Sequence, residues 1–143
     1  MSWEAYIKGF LTEKPDYVNM ITQAGIFSQQ GAKCAAAGKE PSTEEIKKLV
    51  EIVAGRKGGD PAVIGGEKLQ QICMWEPNDE IHKAYFKKQG GGLCVALTNT
   101  LIIYGFYEVS KKGKCKGADK AQNQGDAATL VEGLAEYLCG VGS

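Results

Sequence analysis

The first apolar residues of the chain recur at helical spacing. Between Trp3 and Phe10 they stand three or four positions apart, which predicts a helix over these residues with Ser2 as its N-cap. One face of this helix is expected to carry Trp3, Tyr6, Ile7 and Phe10. Because chain ends tend to fray, two large aromatic residues here are stabilising only if the helix packs on a core or presents its rings to a partner.

The same spacing predicts two further helices. The second begins at Ser42, which has the capping-box partner Glu45 three residues later, and it ends at Gly55. Its apolar positions are Ile46, Leu49, Val50 and Val53. The third helix is expected to start after Gly125 with Asp126 as its cap. Its inner side is expected to carry Leu130, Val131, Leu134, Tyr137 and Leu138.

Between the helices, extended segments alternate with short turns. The predicted strands cover about residues 18–27, 32–37, 68–75, 81–86, 93–98 and 100–107. The turns between them fall at 30–31, 77–79, 89–92 and Asn99, and such short connections are typical of antiparallel hairpins. No helical stretch joins the later strands, which argues against a parallel sheet with crossover helices. The predicted fold class is therefore α+β, a meander of antiparallel strands with the terminal helices packed on one face.

Length and composition narrow the class of protein. The 143 residues fit a single domain, 1–143, that is long enough to bury a core. Seventeen basic residues balance seventeen acidic ones, so no overall charge attracts nucleic acid or an anionic membrane. The five cysteines form an odd set without a C-x-x-C pair, and no apolar stretch is long enough to span a bilayer. These features predict a protein of a reducing cytoplasm, and we expect it to be a monomer.

The segment 110–125 differs from the rest of the chain in composition. It combines glycine, asparagine and glutamine with five lysines: Lys111, Lys112, Lys114, Lys116 and Lys120. This composition predicts a mobile basic loop before the last helix. Three interpretations are open: a solvated insertion, a patch for anionic lipid headgroups, or an extra contact with a partner. The first is the simplest, and we favour it.

An enzymatic function finds little support in the sequence. His82 is the only histidine, and any of the five cysteines could serve it as a nucleophile. However, no nucleophile elbow, phosphate-binding loop or metal-ligand spacing accompanies them. We therefore expect a binding protein without a catalytic residue, a cofactor or a metal.

Several motifs together resemble the profilin family. The most specific are the opening Ser-Trp-x-x-Tyr, which ends at Tyr6, and the closing Val-Glu-x-Leu-Ala-x-Tyr-Leu at 131–138. Weaker similarities are Gly-Gly-x-Lys at 65–68, the Lys-Lys pair before the glycine-rich turn, and Thr-Asn at 98–99. The resemblance implies terminal helices side by side on one face of a central antiparallel sheet, with a further helix on the other face. It also implies a protein that binds actin monomers and proline-rich segments.

The resemblance also implies positions for the sites. The polyproline-binding set is Trp3, Tyr6, Cys34 and Tyr137, with Cys34 standing where the family has a third aromatic residue. The actin-binding set is Lys68, Lys87, Lys88, Thr98, Asn99, Ala128 and Thr129. A phosphoinositide site, if present, would use Lys111, Lys112, Lys114 and Lys116.

On this basis we expect an adaptor of the actin cytoskeleton. It would hold monomeric actin on one face and a proline-rich protein, such as a formin-type assembly factor, on another, so that actin is delivered to a growing filament end. The alternative is a small α+β adaptor that binds proline-rich peptide or lipid without significant actin affinity.

Overall fold

The structure, a computed structural model, describes residues 2–55, 61–74 and 81–143. Within them the helices are α1 (Trp3–Ile7), α2 (Thr43–Ala54) and α3 (Gln124–Gly140), and a π-helical turn (Lys8–Thr12) continues α1. The strands are β1 (Glu13–Lys14), β2 (Tyr17–Val18), β3 (Gln23–Ser28), β4 (Lys33–Ala37), β5 (Ala62–Ile64), β6 (Glu67–Met74), β7 (Lys83–Lys88), β8 (Gly91–Leu97), β9 (Leu101–Glu108), β10 (Lys112–Cys115) and β11 (Ala118–Ala121).

Seven strands form a central antiparallel sheet in the order β4-β3-β9-β8-β7-β6-β5. Strand β3 pairs antiparallel with β4, and β6 through β9 pair antiparallel in turn, as the short turns predict. In the predicted turn 89–92, however, Gly91 and Gly92 belong to β8. A side chain at Gly92 would overlap the Phe86 carbonyl oxygen, so these glycines allow close approach of the backbone. The predicted turn 77–79 and the end of the strand at Trp75 lie outside the described residues.

Each face of the sheet has its own core. Along β9, Ile102, Tyr104 and Phe106 pack with the buried side of α2, whereas Ile103 and Tyr107 pack with α1 and α3. The period-two alternation of a strand produces this division. The predicted α+β class, with the terminal helices on one face and a further helix on the other, is therefore confirmed.

The helix ends differ in part from the prediction. Ser2 caps α1 and the capping box of Ser42 and Glu45 is present, as predicted. The cap of α3, however, is Asn123, whose Oδ1 accepts a hydrogen bond from the backbone N–H of Asp126 at 2.9 Å. Tyr137 is also not on the inner side, since it is 42% exposed while its neighbours Leu134 and Leu138 are buried. No helix among the described ranges is both long and apolar enough to cross a membrane.

The segment 110–125 contains a hairpin, so the predicted basic loop is wrong in its secondary structure. Strands β10 and β11 pair with each other, and β10 also pairs with β2 to form a second sheet, β1-β2-β10-β11. The two-residue turn Lys116-Gly117 has positive φ at both positions, which matches the twist of a tight hairpin. Gln122 follows the hairpin directly and is buried. Its side-chain oxygen accepts hydrogen bonds from the Thr22 hydroxyl and the Glu108 backbone N–H, which holds the end of the hairpin against the central sheet.

Candidate functional site

The rings at the start of the chain are held in place by the apolar side of their own helix. The Ser2 hydroxyl accepts a hydrogen bond from the Ala5 backbone N–H at 3.2 Å, which fixes the first turn of α1. Ile7 and Leu11 are buried against the sheet, in contact with the core beneath α3. Trp3 and Tyr6 lie beside this buried stripe and stay partly exposed.

Four rings from α1, the π-helical turn and α3 form one cluster, which we call the aromatic cluster: Trp3, Tyr6, Phe10 and Tyr137. The ring centroids of Trp3 and Tyr6 are 5.7 Å apart, and Tyr6 is 6.0 Å from Tyr137. These distances are in the range of favourable aromatic pairs. The structure thus brings together three of the four residues predicted for proline binding.

Phe10 completes the cluster and is absent from the predicted set. Its ring lies 5.0 Å from that of Tyr137 and 6.0 Å from that of Tyr6. It belongs to the π-helical turn, in which the backbone N–H of Glu13 bonds to the carbonyl of Lys8. Segments of π-helix often occur at functional sites. Its position four residues after Tyr6, on the same face of the predicted helix, could have placed Phe10 in the set from the sequence.

Cys34, the fourth predicted residue, adds no ring to the cluster. It lies on β4, the strand on which α1 packs, and its half-buried side chain contacts the same core as Trp3 and Tyr6. Burial raises the pKa of the Cys34 thiol, which therefore stays protonated at neutral pH. At this position the surface has a small apolar side chain.

A second exposed surface lies on the same face of the sheet, next to α3. Helix α1 packs on β3 and β4, and α3 packs on β8 and β9, so these helices leave that face of β5, β6 and β7 outside their main contacts. We call this region the open strip. Its exposed side chains are Val63, Lys68, Gln70 and Lys87, and the exposed Ile72 lies at the β-bulge between Gln71 and Cys73 of β6.

The open strip combines apolar and basic groups. Val63 is 44% exposed and Ile72 is 45% exposed, so two large aliphatic side chains are accessible here. A shallow hollow of about 540 Å³ is lined by Pro61, Lys68, Gln70, Lys87, Lys88 and Gln89. Exposed apolar residues among polar ones are typical of a protein-binding surface.

The two adjacent lysines of the predicted actin set point to opposite faces of the sheet. Lys88 shares its face with the buried Phe86, and its ammonium lies 3.6 Å from Glu67 and 3.9 Å from Glu108. It also lies 5.6 Å from the Phe106 ring, and its side chain is only 11% exposed. Lys87 is exposed on the open strip. Strand alternation explains the difference.

The remaining predicted residues are spread along the sheet and α3. Thr98 is buried, and its hydroxyl donates to the backbone oxygen of Ser143 at 2.9 Å, whereas the next residue, Asn99, is exposed. Both lie about 20 Å from Lys87, since Lys87 pairs with Gly92 and each strand residue adds about 3.4 Å. Ala128 is buried and Thr129 is exposed at the start of α3.

An ion-pair cluster joins α3 to the open strip and was missed by sequence reasoning. Glu132 accepts hydrogen bonds from Lys83 at 2.7 Å and from the Tyr85 hydroxyl at 2.5 Å. Lys83 and Glu132 are each less than a quarter exposed. The pair fixes the position of α3 beside β7, but only the sheet register could show that these residues meet.

Most lysines of the hairpin segment are paired within the molecule. Lys114 bonds to Asp119 at 2.5 Å, Lys111 to Glu108 at 3.2 Å, and Lys120 to Asp126 at 2.9 Å. The hydrogen bond and charge of Lys114 hold the pKa of Asp119 below its ordinary value. Pairing reduces the net positive charge that this segment presents.

Comparison with known proteins identifies the family. The sequence model of the profilin family matches residues 1–143. The chain belongs to the profilin family. A profilin of Tetrahymena pyriformis is 41% identical over 54 residues, a match that covers 38% of this chain and about a third (33%) of that relative's length.

Solved profilin structures share the fold over nearly the whole chain. Profilin IB of Acanthamoeba castellanii has a TM-score of 0.74 at 24% identity, and Schizosaccharomyces pombe profilin has 0.72 at 26%. Each match covers 99% of this chain and 100% of the other.

Two other similar structures are complexes. Mouse profilin IIa is bound to a double repeat from the FH1 domain of mDia1, with a TM-score of 0.65, 17% identity and full coverage of both chains. LokiProfilin1 is bound to rabbit actin, with a TM-score of 0.61, 16% identity, and coverage of 96% of this chain and 94% of the other. At this identity the likeness concerns the fold.

Proposed function

We propose that this profilin binds proline-rich segments through the aromatic cluster and monomeric actin through the open strip together with the start of α3. The observation that carries the proposal is the aromatic cluster, in which rings from two helices distant in sequence meet at a partly exposed surface. A role in the core alone would not require Tyr137 to be 42% exposed.

Proline-rich ligands suit such a surface for a physical reason. They already adopt the polyproline II conformation, so docking costs little backbone entropy, and their pyrrolidines pack on flat rings. The indole N–H of Trp3 and the hydroxyls of Tyr6 and Tyr137 can donate to the ligand's free carbonyls. The mouse profilin complex with an FH1 double repeat supports the choice of a proline-rich ligand.

The open strip suits a larger, reversible partner. Lys68 and Lys87 are exposed there beside apolar residues, so they can steer an acidic surface while Val63 and Ile72 supply apolar contact. Thr129 and Asn99 extend the exposed set toward α3 and the far end of the sheet. Of the other predicted residues, Thr98 and Ala128 are buried, and Lys88 points to the opposite face of the sheet. The profilin complex with rabbit actin supports the choice of partner.

Two assays on the purified protein test the two halves of the proposal. Binding of a proline-rich peptide is measured by calorimetry, and retardation of actin polymerisation is measured with pyrene-labelled actin. We expect a response in both. Peptide binding without an effect on actin would favour the alternative, an adaptor that lacks significant actin affinity. No peptide binding would remove the proposed role of the aromatic cluster.

A phosphoinositide site is a weaker second candidate. Lys112 and Lys116 are exposed on the hairpin, and neither is among its ion pairs with acidic side chains described above. Each nearby lysine contributes about 1 kcal/mol toward an anionic membrane. Flotation with vesicles that contain phosphoinositide tests this candidate, and equal recovery with neutral vesicles would contradict it.

With actin as its partner, the protein would act in the cytoplasm.

A further inference from the structure

Phe10 is a member of the aromatic cluster that the proposed function does not yet use. Its ring contacts those of Tyr6 and Tyr137, and its side chain is only partly buried. The neighbouring Ile7 and Leu11 are buried and already anchor the helix to the core. Phe10 packs on the same core as they do, but unlike them it is only partly buried and so remains accessible to a ligand.

We propose that Phe10 is a ligand-contacting residue that sets specificity at one end of the proline-binding surface. The inference rests on the proposed function of the aromatic cluster. In this chain β4 supplies only the small side chain of Cys34, so the surface is extended by a ring from the π-helical turn. The contact surface thus runs along α1 and its continuation.

The spacing of the rings fits a short proline segment. Trp3, Tyr6 and Phe10 form a row in which successive ring centroids are 5.7 and 6.0 Å apart. Seven residues separate the ends of the row, or about 10 Å at a rise of 1.5 Å per residue. A polyproline II helix rises 3.1 Å per residue, so the row spans about three to four ligand residues. Tyr137 flanks the Phe10 end of this row.

The two ends of the row differ in chemistry. Trp3 has an indole N–H, and Tyr6 has a hydroxyl, so this end can bond to ligand carbonyls as well as pack on pyrrolidines. Phe10 has no hydrogen-bond donor, and its contribution is limited to packing. The ligand residue that meets Phe10 must therefore be proline or another apolar residue, while the Trp3 end also recognises the backbone.

A double-mutant cycle separates this contact from a structural role. The probes are a tetraproline peptide flanked by glycines, which matches the length of the ring row, and its four single Pro-to-Ala variants, with affinities measured by calorimetry. We expect Phe10→Ala to weaken the parent peptide about fivefold to tenfold, as for a typical aromatic anchor. At one terminal ligand position, the Pro-to-Ala change should lower the peptide's affinity for the wild-type protein about fivefold. The same change should lower its affinity for the Phe10→Ala protein less than twofold. The position that couples to Trp3→Ala should lie at the other end.

The outcomes are distinguishable. If wild type does not bind the parent peptide, the proposed function fails. If wild type binds and Phe10→Ala binds equally well, the inference about Phe10 is overturned. If Phe10→Ala weakens all five peptides by the same factor, Phe10 only positions Tyr137, and the inference is again overturned.

Two further variants guard against misfolding. Phe10→Leu keeps an apolar side chain in the same place, and we expect it to retain the wild-type melting temperature while it weakens the parent peptide about threefold. Lys8→Ala alters an exposed residue of the same turn, outside the ring row, and should bind like wild type. If Phe10→Leu folds and matches wild type with every peptide, a contact role is excluded.

Discussion

The aromatic cluster and the open strip are built in different ways. The cluster is local: α1 supplies rings at helical spacing, and only Tyr137 comes from a distant part of the sequence. The open strip is defined by topology, because it is the face of β5, β6 and β7 that lies outside the main contacts of α1 and α3. Helical periodicity in the sequence can therefore reveal a surface such as the aromatic cluster. A surface such as the open strip depends instead on which strands the helices cover in the folded protein.

Loss of the Trp3 ring should produce the largest change in either region. We expect Trp3→Ala to weaken binding of a proline-rich peptide by about 2 kcal/mol, or about thirtyfold, because an aromatic anchor carries much of such an interface. Calorimetry measures the affinity directly, whereas tryptophan fluorescence would also contain the signal of Trp75. Val109→Ala, which removes an exposed apolar side chain elsewhere, is the matched control and should leave the affinity unchanged. Full peptide affinity in Trp3→Ala would remove Trp3 from the binding surface.

The adjacent lysines of β7 provide a sharper test of the open strip. Lys87→Glu should weaken actin binding about tenfold at low ionic strength and less at high salt, with stability within about 0.5 kcal/mol of wild type, since its side chain is exposed. Lys88→Glu should instead lower the free energy of unfolding by about 1–2 kcal/mol, because it places a third carboxylate beside Glu67 and Glu108.

The measurements are actin binding at two salt concentrations and urea unfolding. Each lysine variant is the control for the other, because they differ by one position and by the face of the sheet. Identical effects of the two variants on both measurements would contradict the division of the faces.

The smallest expected effect concerns Glu45, which ties α2 to the turn between β5 and β6. Burial alone would raise the pKa of Glu45. Hydrogen bonds from the backbone N–H groups of Ser42, Gly66 and Gly65 together lower it by more, so its pKa lies below the ordinary value. The stabilisation is present above the unfolded-state pKa of about 4.3 and is lost as the pH falls through the folded-state pKa.

Glu45→Gln should therefore lower the free energy of unfolding by about 1 kcal/mol at pH 7, and the difference from wild type should shrink as the pH falls below about 4.3. Urea unfolding at pH 7, 5 and 3 measures it. Glu44→Gln, on the same first turn of α2 and strongly exposed, is the matched control and should show little change. A difference for Glu45→Gln that stays constant from pH 7 to pH 3 would contradict this role of the carboxylate.

Sequence reasoning predicted the fold where one local signal was strong. Ser42 and Glu45 specified the start of α2, and the short turns specified antiparallel neighbours in the sheet. It failed at the segment 110–125, because the lysines and glycines that suggest a loop also form the turn Lys116-Gly117. The two-residue strands β1 and β2 were too short to produce a pattern.

The candidate sites show the same limit. Trp3 and Tyr6 could be grouped from their spacing, and Phe10 could have been added by the same argument. In contrast, the opposite directions of Lys87 and Lys88 and the pairing of Lys83 with Glu132 depend on register and on the position of α3. Such long-range arrangements are fixed by packing and have no local signature.

The central claim is that the two regions bind different ligands independently. The most direct test measures the affinity for monomeric actin with and without a saturating short proline-rich peptide. Because the aromatic cluster lies on α1 and α3 while Lys68 and Lys87 lie on the open strip, we predict nearly equal affinities and a ternary complex. Strict competition between peptide and actin would contradict the division of surfaces, since it would require a shared site.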